Sequence, residues 1–163
     1  MPLEHLIATH SEPIRAIDYA CGSGHFLTEY ALHLPPLLKQ IKQIDNPTNY
    51  YQHIYGIEKE DRLAKVAKVS AFMYGRKEIH IIDADALVPH DDIKEAGFNV
   101  LIANPPFAVE DFLLTVDEEH REKYTLMNTV NDVGNKNIQC FFLERAQQLL
   151  AANGVMSVFD GSW

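Results

Sequence analysis

Short apolar segments alternate with stretches of helical periodicity along this chain, and no other feature restricts its fold as strongly. One segment, residues 98–103, contains an unbroken apolar run that is typical of a strand covered on both faces. Strands that alternate with helices form parallel sheets with helices on both sides. The sequence therefore predicts an α/β fold with a doubly wound, mainly parallel sheet. Its strands are expected at residues 15–19, 54–58, 79–82, 98–103 and 155–159.

Three helices are predicted between these strands. The first follows Gly24 and is expected to stop at Pro35-Pro36. Gly75 is placed to cap the second, and Asn153-Gly154 is expected to end the third. The predicted apolar faces are Phe26, Leu27, Tyr30 and Leu34 in the first helix, Leu63, Val66, Ala67, Ser70 and Tyr74 in the second, and Ile138, Phe141, Phe142, Ala146, Leu149 and Leu150 in the third.

Two polar stretches interrupt the alternation. Residues 35–53 are interpreted as an insertion, and residues 109–136 as a long loop near the functional site with a short helix around 118–124. Loops of this length are usually functional or disordered. The 163 residues have the length of one domain. We therefore expect a single domain over residues 1–163.

The chain is acidic, with a net charge of −9 from 14 Lys and Arg against 23 Asp and Glu. A domain that grips nucleic acid alone needs a basic face, because neutralising phosphates supplies most of the affinity. Any nucleic acid is therefore expected to be held mainly by another domain or subunit. No secretory signal and no apolar run of ~20 residues is apparent, so we expect a cytoplasmic protein without a membrane segment. The cysteines and histidines lack metal-ligand spacing, so no metal is expected.

The first predicted strand runs into a turn that contains Gly22 and Gly24. Glycine permits a tight turn and lets a ligand approach the backbone, while the following helix offers free amide groups at its start. In open parallel sheets, ligands bind beyond the carboxyl ends of the strands, where the strand order reverses. The turn alone is also compatible with plain packing of a strand against a helix, so both interpretations stay open.

Two carboxylates follow neighbouring predicted strands. Glu58 ends the second strand, where an acidic side chain accepts hydrogen bonds from a ribose. It lies further from Gly24 than the usual ~20 residues, and the interpreted insertion accounts for the excess. Asp85 follows the third strand and is placed to accept from an adenine amino group. Each acid alone also fits a solvated carboxylate at a strand end, but together they favour a nucleoside ligand.

The glycine pattern limits which nucleoside ligand fits. A dinucleotide fingerprint requires a third glycine where Leu27 stands, and no Gly-Lys-Ser/Thr sequence of a P-loop follows. A pyrophosphate cradle is therefore poorly formed. S-adenosylmethionine carries adenine and ribose without a phosphate, so nearby carboxylates do not repel it. The pattern favours S-adenosylmethionine as the cofactor.

Four ordered motifs resemble the adenine-amino (N-6) DNA methyltransferases. They are DYACGSGHFL at residues 18–27, YGIEKE at 55–60, DAL at 85–87 and ANPPF at 103–107. The similarity extends from about Ile14 to Val158, includes FFLERA at 141–146, and is nearest to modification subunits of type I restriction-modification systems and to fused restriction-methylation enzymes. It implies the Rossmann-like fold of S-adenosylmethionine-dependent methyltransferases.

The resemblance implies roles at the matching positions. Asn104 and the carbonyl of Pro105 are expected to accept the two hydrogens of the target amino group, while Pro106 helps to fix this backbone. Phe107 is expected to stack on the target base. The cofactor is expected to contact Asp18, Ala20, Cys21, Gly22, Gly24, Phe26, Glu58, Asp85, Ala86 and Asn104.

The implied function is methylation of adenine in DNA within a restriction-modification or related defence system. Family members carry a further N-terminal segment, two more strands and a target-recognition region, so we interpret the chain as a partial catalytic core, truncated after the fifth strand. We expect it to be inactive alone. DNA is expected to be held through a missing recognition domain or a separate specificity subunit, and a restriction subunit is a further expected partner.

Three other interpretations stay open. The Asn-Pro-Pro-aromatic motif also serves enzymes that methylate guanine amino groups in RNA or glutamine side chains in protein. A non-catalytic scaffold that binds a partner subunit is the second alternative, although Glu58, Asp85 and Asn104 argue against it. A nicotinamide dehydrogenase is the third, and Leu27 disfavours it.

Overall fold

The structure is a computed structural model that describes residues 2–107, 109, 116, 118–128 and 138–159. Its strands are β1 (Ala16–Asp18), β2 (Ile54–Glu58), β3 (His80–Asp83), β4 (Phe98–Ala103) and β5 (Leu150–Val158). Its helices are α1 (Pro2–Thr9), α2 (His25–Lys42), α3 (Thr48–Tyr51), α4 (Asp61–Met73), α5 (Glu118–Arg121) and α6 (Ile138–Leu149), and a 3-10 helix covers Thr125–Asn128.

The described strands form one parallel sheet in the order β3-β2-β1-β4-β5. The central strand β1 pairs with β2 on one side and with β4 on the other, so the strand order reverses between β1 and β4. The carboxyl ends of all five strands lie at the same edge of the sheet. The predicted α/β fold is confirmed, and its reversal point is where such sheets bind ligands.

Both faces of the sheet are buried at its central strands β1 and β4, as the apolar run in β4 predicts. Neighbouring residues of a strand point to opposite faces. Accordingly, Ile17 and Leu101 belong to one apolar cluster, which includes Phe142 of α6. Ala16 and Val100 belong to a second cluster on the other face, together with residues of α1, α2 and α4.

Helix α2 does not stop at Pro35-Pro36, so that prediction is wrong. The helix continues to Lys42, and an interior proline costs roughly 3 kcal/mol. Leu34 and Leu38 are nearly inaccessible to solvent on either side of the prolines, and each buried leucine contributes about 1.5–3 kcal/mol. The two interior prolines cost about 6 kcal/mol together, and burial of the two leucines offsets roughly half to all of this cost. The assignment of residues 35–53 as an insertion stays a prediction.

The predicted apolar face of α4 is wrong apart from Ala67. The buried residues of this helix are Ala64, Ala67 and Ala71, whereas Leu63 and Val66 are exposed. The helix lies so close to the glycine turn that a Cβ built on Gly24 would meet the Ala67 Cβ at 3.3 Å. Only small side chains fit at this distance, so the alanines face the core and the larger apolar groups face outward.

Gly75 ends α4 as predicted, because it adopts a left-handed conformation with φ of +70°. The Arg76 amide beyond it donates to the Ala71 carbonyl at 2.7 Å, which satisfies one of the last helical acceptors.

The prediction that Asn153-Gly154 ends the last helix is wrong. Helix α6 ends at Leu149, and the Asn-Gly pair lies inside β5.

The Asn-Gly pair forms an irregularity in the pairing of β5 with β4. Phe98 pairs with Leu150, but Val100 pairs with Val155, so β5 contains extra residues between these pairs. Asn153 has a φ of +63°, a conformation that asparagine tolerates better than most residues. A turn signal in the sequence therefore corresponds to a bulge within a strand.

The N-terminal helix α1 was not predicted. Its Leu6 and Ile7 are buried in the cluster that covers α2, so a short helix forms through packing rather than through a strong local signal.

Helix α5 lies within the predicted short helix at 118–124, and much of the predicted loop 109–136 lies outside the described residues. Within the described ranges, no helix combines the length and apolar character needed to cross a bilayer.

Candidate functional site

A cavity of about 480 Å³ opens at the carboxyl ends of β1, β2 and β4. Gly22 from the glycine turn and Asn104 from the segment after β4 both line it. These two motifs are distant in sequence and meet because β1 and β4 are neighbours in the sheet. The complete lining is Tyr19, Ala20, Gly22, Glu58, Lys59, Asp85, Ala86, Leu87, Asn104, Pro106, Val109, Ile138 and Phe142.

The turn after β1 requires its two glycines. Gly22 has a φ of +53° and Gly24 a φ of +82°, which side chains disfavour. The Gly24 amide donates to the Cys21 carbonyl at 2.7 Å, and the Cys21 amide donates to the Ile57 carbonyl in β2 at 3.0 Å. The backbone at Gly22 therefore borders the cavity without a side chain in between.

Glu58 connects the end of β2 to this turn. Its Oε2 atom accepts from the Gly22 amide at 2.8 Å, and its Oε1 atom accepts from the Glu60 amide at 2.8 Å. Each carboxylate oxygen has a second lone pair, so the side chain can still accept hydrogen bonds from a ligand. Glu58 thus shapes the turn and presents acceptors to the cavity.

Asp18 is buried beneath the turn and does not line the cavity. It is 1% exposed, and its Oδ1 atom accepts from the Ala20 amide at 3.0 Å. Burial raises the pKa of this carboxyl from 3.8 to about 7, the Ala20 hydrogen bond opposes the shift, and the charge of Glu58 adds to it. The geometry gives Asp18 a role in holding the turn.

Asp85 follows β3, the neighbour of β2 in the sheet, and is partly engaged within its own loop. Its Oδ1 atom accepts from the Leu87 amide at 2.9 Å, and its Oδ2 atom forms an ion pair with Lys59 Nζ at 2.7 Å. Sequence reasoning missed Lys59. The available signal was its position directly after Glu58, at the carboxyl end of β2 where the cavity opens.

Two of the four residues in the Asn-Pro-Pro-Phe segment line the cavity. Asn104 and Pro106 line the cavity, whereas Pro105 is buried and Phe107 is 38% exposed outside the lining. The Phe159 amide after β5 donates to the Ala103 carbonyl at 2.9 Å and holds the start of this segment.

Seven of the predicted site residues line the cavity, and six do not. Burial raises the pKa of the Cys21 thiol, which disfavours the reactive thiolate. Phe26 is exposed on α2. The structure brings together Ala20, Gly22, Glu58, Asp85, Ala86, Asn104 and Pro106, and it places Asp18, Cys21, Gly24, Phe26, Pro105 and Phe107 outside the lining.

The apolar wall of the cavity includes Tyr19 and Phe142, whose ring centroids lie 5.2 Å apart. The Tyr19 hydroxyl is buried and has no hydrogen-bond partner among the described residues. A buried hydroxyl without a partner is costly, so this atom fits a site that a polar ligand completes. Over the same described ranges, no group of three or more His, Cys, Asp or Glu side chains could hold a metal ion.

Comparison with known proteins points to one family. The family model "N-6 DNA Methylase" matches residues 3–161. The fold is similar to the type I restriction-modification methyltransferase subunit of Streptococcus thermophilus, with a TM-score of 0.60, 16% identity, and coverage of 96% of this chain and 32% of that one. The EcoKI M protein gives the same TM-score, identity and coverages.

A class I S-adenosylmethionine-dependent methyltransferase from Listeria monocytogenes, itself assigned only provisionally, has a TM-score of 0.60 and 15% identity, over 96% of this chain and 42% of that one. These likenesses show the Rossmann-like methyltransferase fold. The chain spans less than half the length of each of these structures. No curated protein matches the sequence.

Proposed function

Since the chain belongs to the N-6 DNA methylase family, we propose that it forms the catalytic core of an enzyme that methylates the exocyclic amino group of adenine in DNA. S-adenosylmethionine is the proposed methyl donor. The observation that carries this proposal is the single cavity lined by both Gly22 and Asn104. A donor held at the glycine turn and an amine held at Asn104 would meet in that space.

The residues around the cavity fit the proposed cofactor. Glu58 and Asp85 offer carboxylate acceptors for a ribose and for an adenine amino group, and the Tyr19 hydroxyl lacks a partner among the described residues. The volume of about 480 Å³ lies within the roughly 300–1,000 Å³ of small-molecule sites. When bound, S-adenosylmethionine supplies an electrophilic methyl group on a sulfonium.

Asn104 and Pro105 are proposed to activate the target amine. An amino group on an aromatic ring is a poor nucleophile, because its lone pair is delocalised into the ring. Two acceptors, the Asn104 side-chain oxygen and the Pro105 carbonyl, favour a pyramidal nitrogen and direct its lone pair toward the methyl group. The contribution is one of orientation and electrostatics rather than of a strong base. Pro106 stiffens the backbone that carries these oxygens.

Phe107 is proposed to hold the target base by stacking. Its side chain is 38% exposed beside the cavity, where an extruded base can reach it. Stacking on an aromatic side chain contributes ~1–3 kcal/mol per base, which partly offsets the few kcal/mol needed to remove a base from a duplex. The exposure of an aromatic side chain three residues after Asn104 supports this role.

DNA is proposed to be held mainly by other parts of the system. The net charge of −9 disfavours a large phosphate contact by this chain alone. The similar S. thermophilus and EcoKI proteins are type I restriction-modification components. We propose by analogy a recognition domain or specificity subunit, with a restriction subunit as a further partner.

Replacement of Asn104 in the chromosome of the source organism tests the proposed function. Mapping of N6-methyladenine across the genome should show one methylated sequence motif that disappears in Asn104→Ala and persists in Gln147→Ala, an exposed change on α6. Binding of S-adenosylhomocysteine to the purified variant should stay within about twofold, because the amine acceptor is not the main cofactor contact. Persistent methylation in Asn104→Ala contradicts the mechanism.

Labelled S-adenosylmethionine separates the substrate classes. The complete protein should transfer the label to DNA. Label in RNA or in protein would instead support the alternatives that share the Asn-Pro-Pro-aromatic motif. Absence of any cofactor binding by the complete protein would support a non-catalytic scaffold.

A further inference from the structure

Arg145 on α6 holds the loop that carries Asp85, although it does not line the cavity. Its side chain is 2% exposed, and its Nε atom donates to the Ala86 carbonyl at 3.0 Å. Its Nη1 atom donates to Glu95 at 2.9 Å and to Gln148 at 2.8 Å. A buried cation is tolerated only with such partners, so the guanidinium is fixed and fixes the Ala86 carbonyl in turn.

A second contact reaches the same loop through Tyr124, which is also 2% exposed. The Tyr124 hydroxyl donates to the Leu87 carbonyl at 2.6 Å. The backbone after Tyr124 is held by Glu144, whose carboxylate accepts from the Thr125 amide at 2.6 Å and from the Leu126 amide at 3.2 Å. The neighbouring residues Glu144 and Arg145 therefore act on one loop, the first through Tyr124 and the second directly.

Two side chains outside the loop thus hold residues 85–87. Arg145 and Tyr124 bind the carbonyls of Ala86 and Leu87, and Asp85 binds the Leu87 amide through its own side chain. Asp85, Ala86 and Leu87 all line the cavity. The direction in which Asp85 presents its carboxylate therefore depends on contacts made outside the cavity as well as on its ion pair with Lys59.

We propose that Arg145 and Tyr124 are positioning residues that set the preference of the site for adenine. They hold the backbone of residues 85–87 so that Asp85 faces the amino group of the cofactor base. Supporting residues of this kind fix the geometry of the groups that contact the ligand. The inference rests on the proposed use of S-adenosylmethionine, and it assigns a purpose to the FFLERA segment at 141–146, which the proposed chemistry leaves unused.

Two ligands that differ at the base test this inference. S-adenosylhomocysteine carries the adenine amino group, whereas S-inosylhomocysteine carries a carbonyl oxygen there, which a carboxylate disfavours. Calorimetry on the complete wild-type protein should show tighter binding of the adenine ligand. The preference is measured as the dissociation constant of S-inosylhomocysteine divided by that of S-adenosylhomocysteine. In Tyr124→Phe, which removes one oxygen atom, this ratio should fall about tenfold. Arg145→Met should lower the ratio further, and Arg145→Lys should restore part of it.

The ratio distinguishes positioning from general stability. Damage to the fold weakens the binding of both ligands equally and leaves the ratio of their dissociation constants unchanged. The exposed control Gln147→Ala should also leave this ratio unchanged. A wild-type preference that persists in folded Tyr124→Phe overturns this inference and leaves the proposed function standing. A wild-type protein that binds neither ligand overturns the proposed cofactor and this inference with it. If Arg145→Met does not fold, the nearly isosteric Tyr124→Phe decides the matter.

Discussion

The buried carboxyl of Asp18 makes the stability of the chain depend on pH. Asp18 is 1% exposed beneath the glycine turn, and burial raises its pKa to about 7. In the unfolded chain the same carboxyl titrates near 3.8. The folded protein therefore binds a proton that the unfolded chain releases between these two values. Asp18→Asn, which cannot ionise and keeps an oxygen for the Ala20 amide, removes this linkage.

The sign and size of the effect follow from the two pKa values. Stabilisation by the protonated carboxyl is fully present below pH 3.8 and is lost as the pH rises to about 7. Each pH unit in this window lowers the free energy of unfolding by about 1.4 kcal/mol, so the complete loss is about 4 kcal/mol. Burial of the amide NH₂ that Asp18→Asn introduces costs up to ~1–3 kcal/mol, and this cost does not vary with pH.

Urea unfolding at a series of pH values, followed by circular dichroism, measures this loss. The difference in unfolding free energy between wild type and Asp18→Asn should fall by about 4 kcal/mol from pH 4 to pH 8. Titration of groups that do not interact with Asp18 cancels in the difference. Asp91→Asn provides a matched control at an exposed carboxyl. A difference that stays constant within about 1 kcal/mol shows that Asp18 is already ionised at low pH, and the reasoning fails.

Three further substitutions test the architecture of the site. Gly24→Ala should lower the free energy of unfolding by roughly 1–3 kcal/mol in urea titrations, because the φ of +82° disfavours a side chain; an unchanged value contradicts this. Glu58→Gln places an amide NH₂ against a backbone donor such as the Gly22 amide, so calorimetry should show S-adenosylhomocysteine binding weakened by about tenfold or more. Unchanged binding would mean that contacts other than Glu58 hold the turn. Gly56→Ala should lower the free energy of unfolding by about 1–3 kcal/mol, since the new Cβ would lie 2.6 Å from Leu27 Cδ1. An unchanged midpoint of thermal unfolding would show that the core accommodates the new methyl group without loss of stability.

The sequence predicted best where the chemistry is local. Strands β2 and β4 begin and end at the predicted residues, because dense apolar runs are bounded by polar or turn-forming residues. The positive φ angles of Gly22 and Gly24 match the predicted turn. The turn and Asn104 meet at one cavity because β1 and β4 are neighbours in the sheet. The roles of the individual site residues stay predictions.

The failures share a tertiary origin. The continuation of α2 through Pro35-Pro36 depends on leucines whose burial only the packed core supplies. The alanine face of α4 depends on how closely that helix approaches Gly24, and no local periodicity encodes this distance. Lys59 enters the site through its ion pair with Asp85, a contact between two loops. Such features require the distances between elements, which a linear pattern does not contain.

The neighbouring positions of β1 and β4 determine when the cavity can exist during synthesis. The Arg15 amide donates to the Asn99 side chain, a contact between residues 84 positions apart. A growing chain on the ribosome can pair its first three strands before β4 has emerged, but it cannot yet enclose a ligand. Closing so long a segment also carries an entropic cost that slows this last step. Any bound nucleoside would therefore stabilise the finished sheet and could not serve as a template for its early strands.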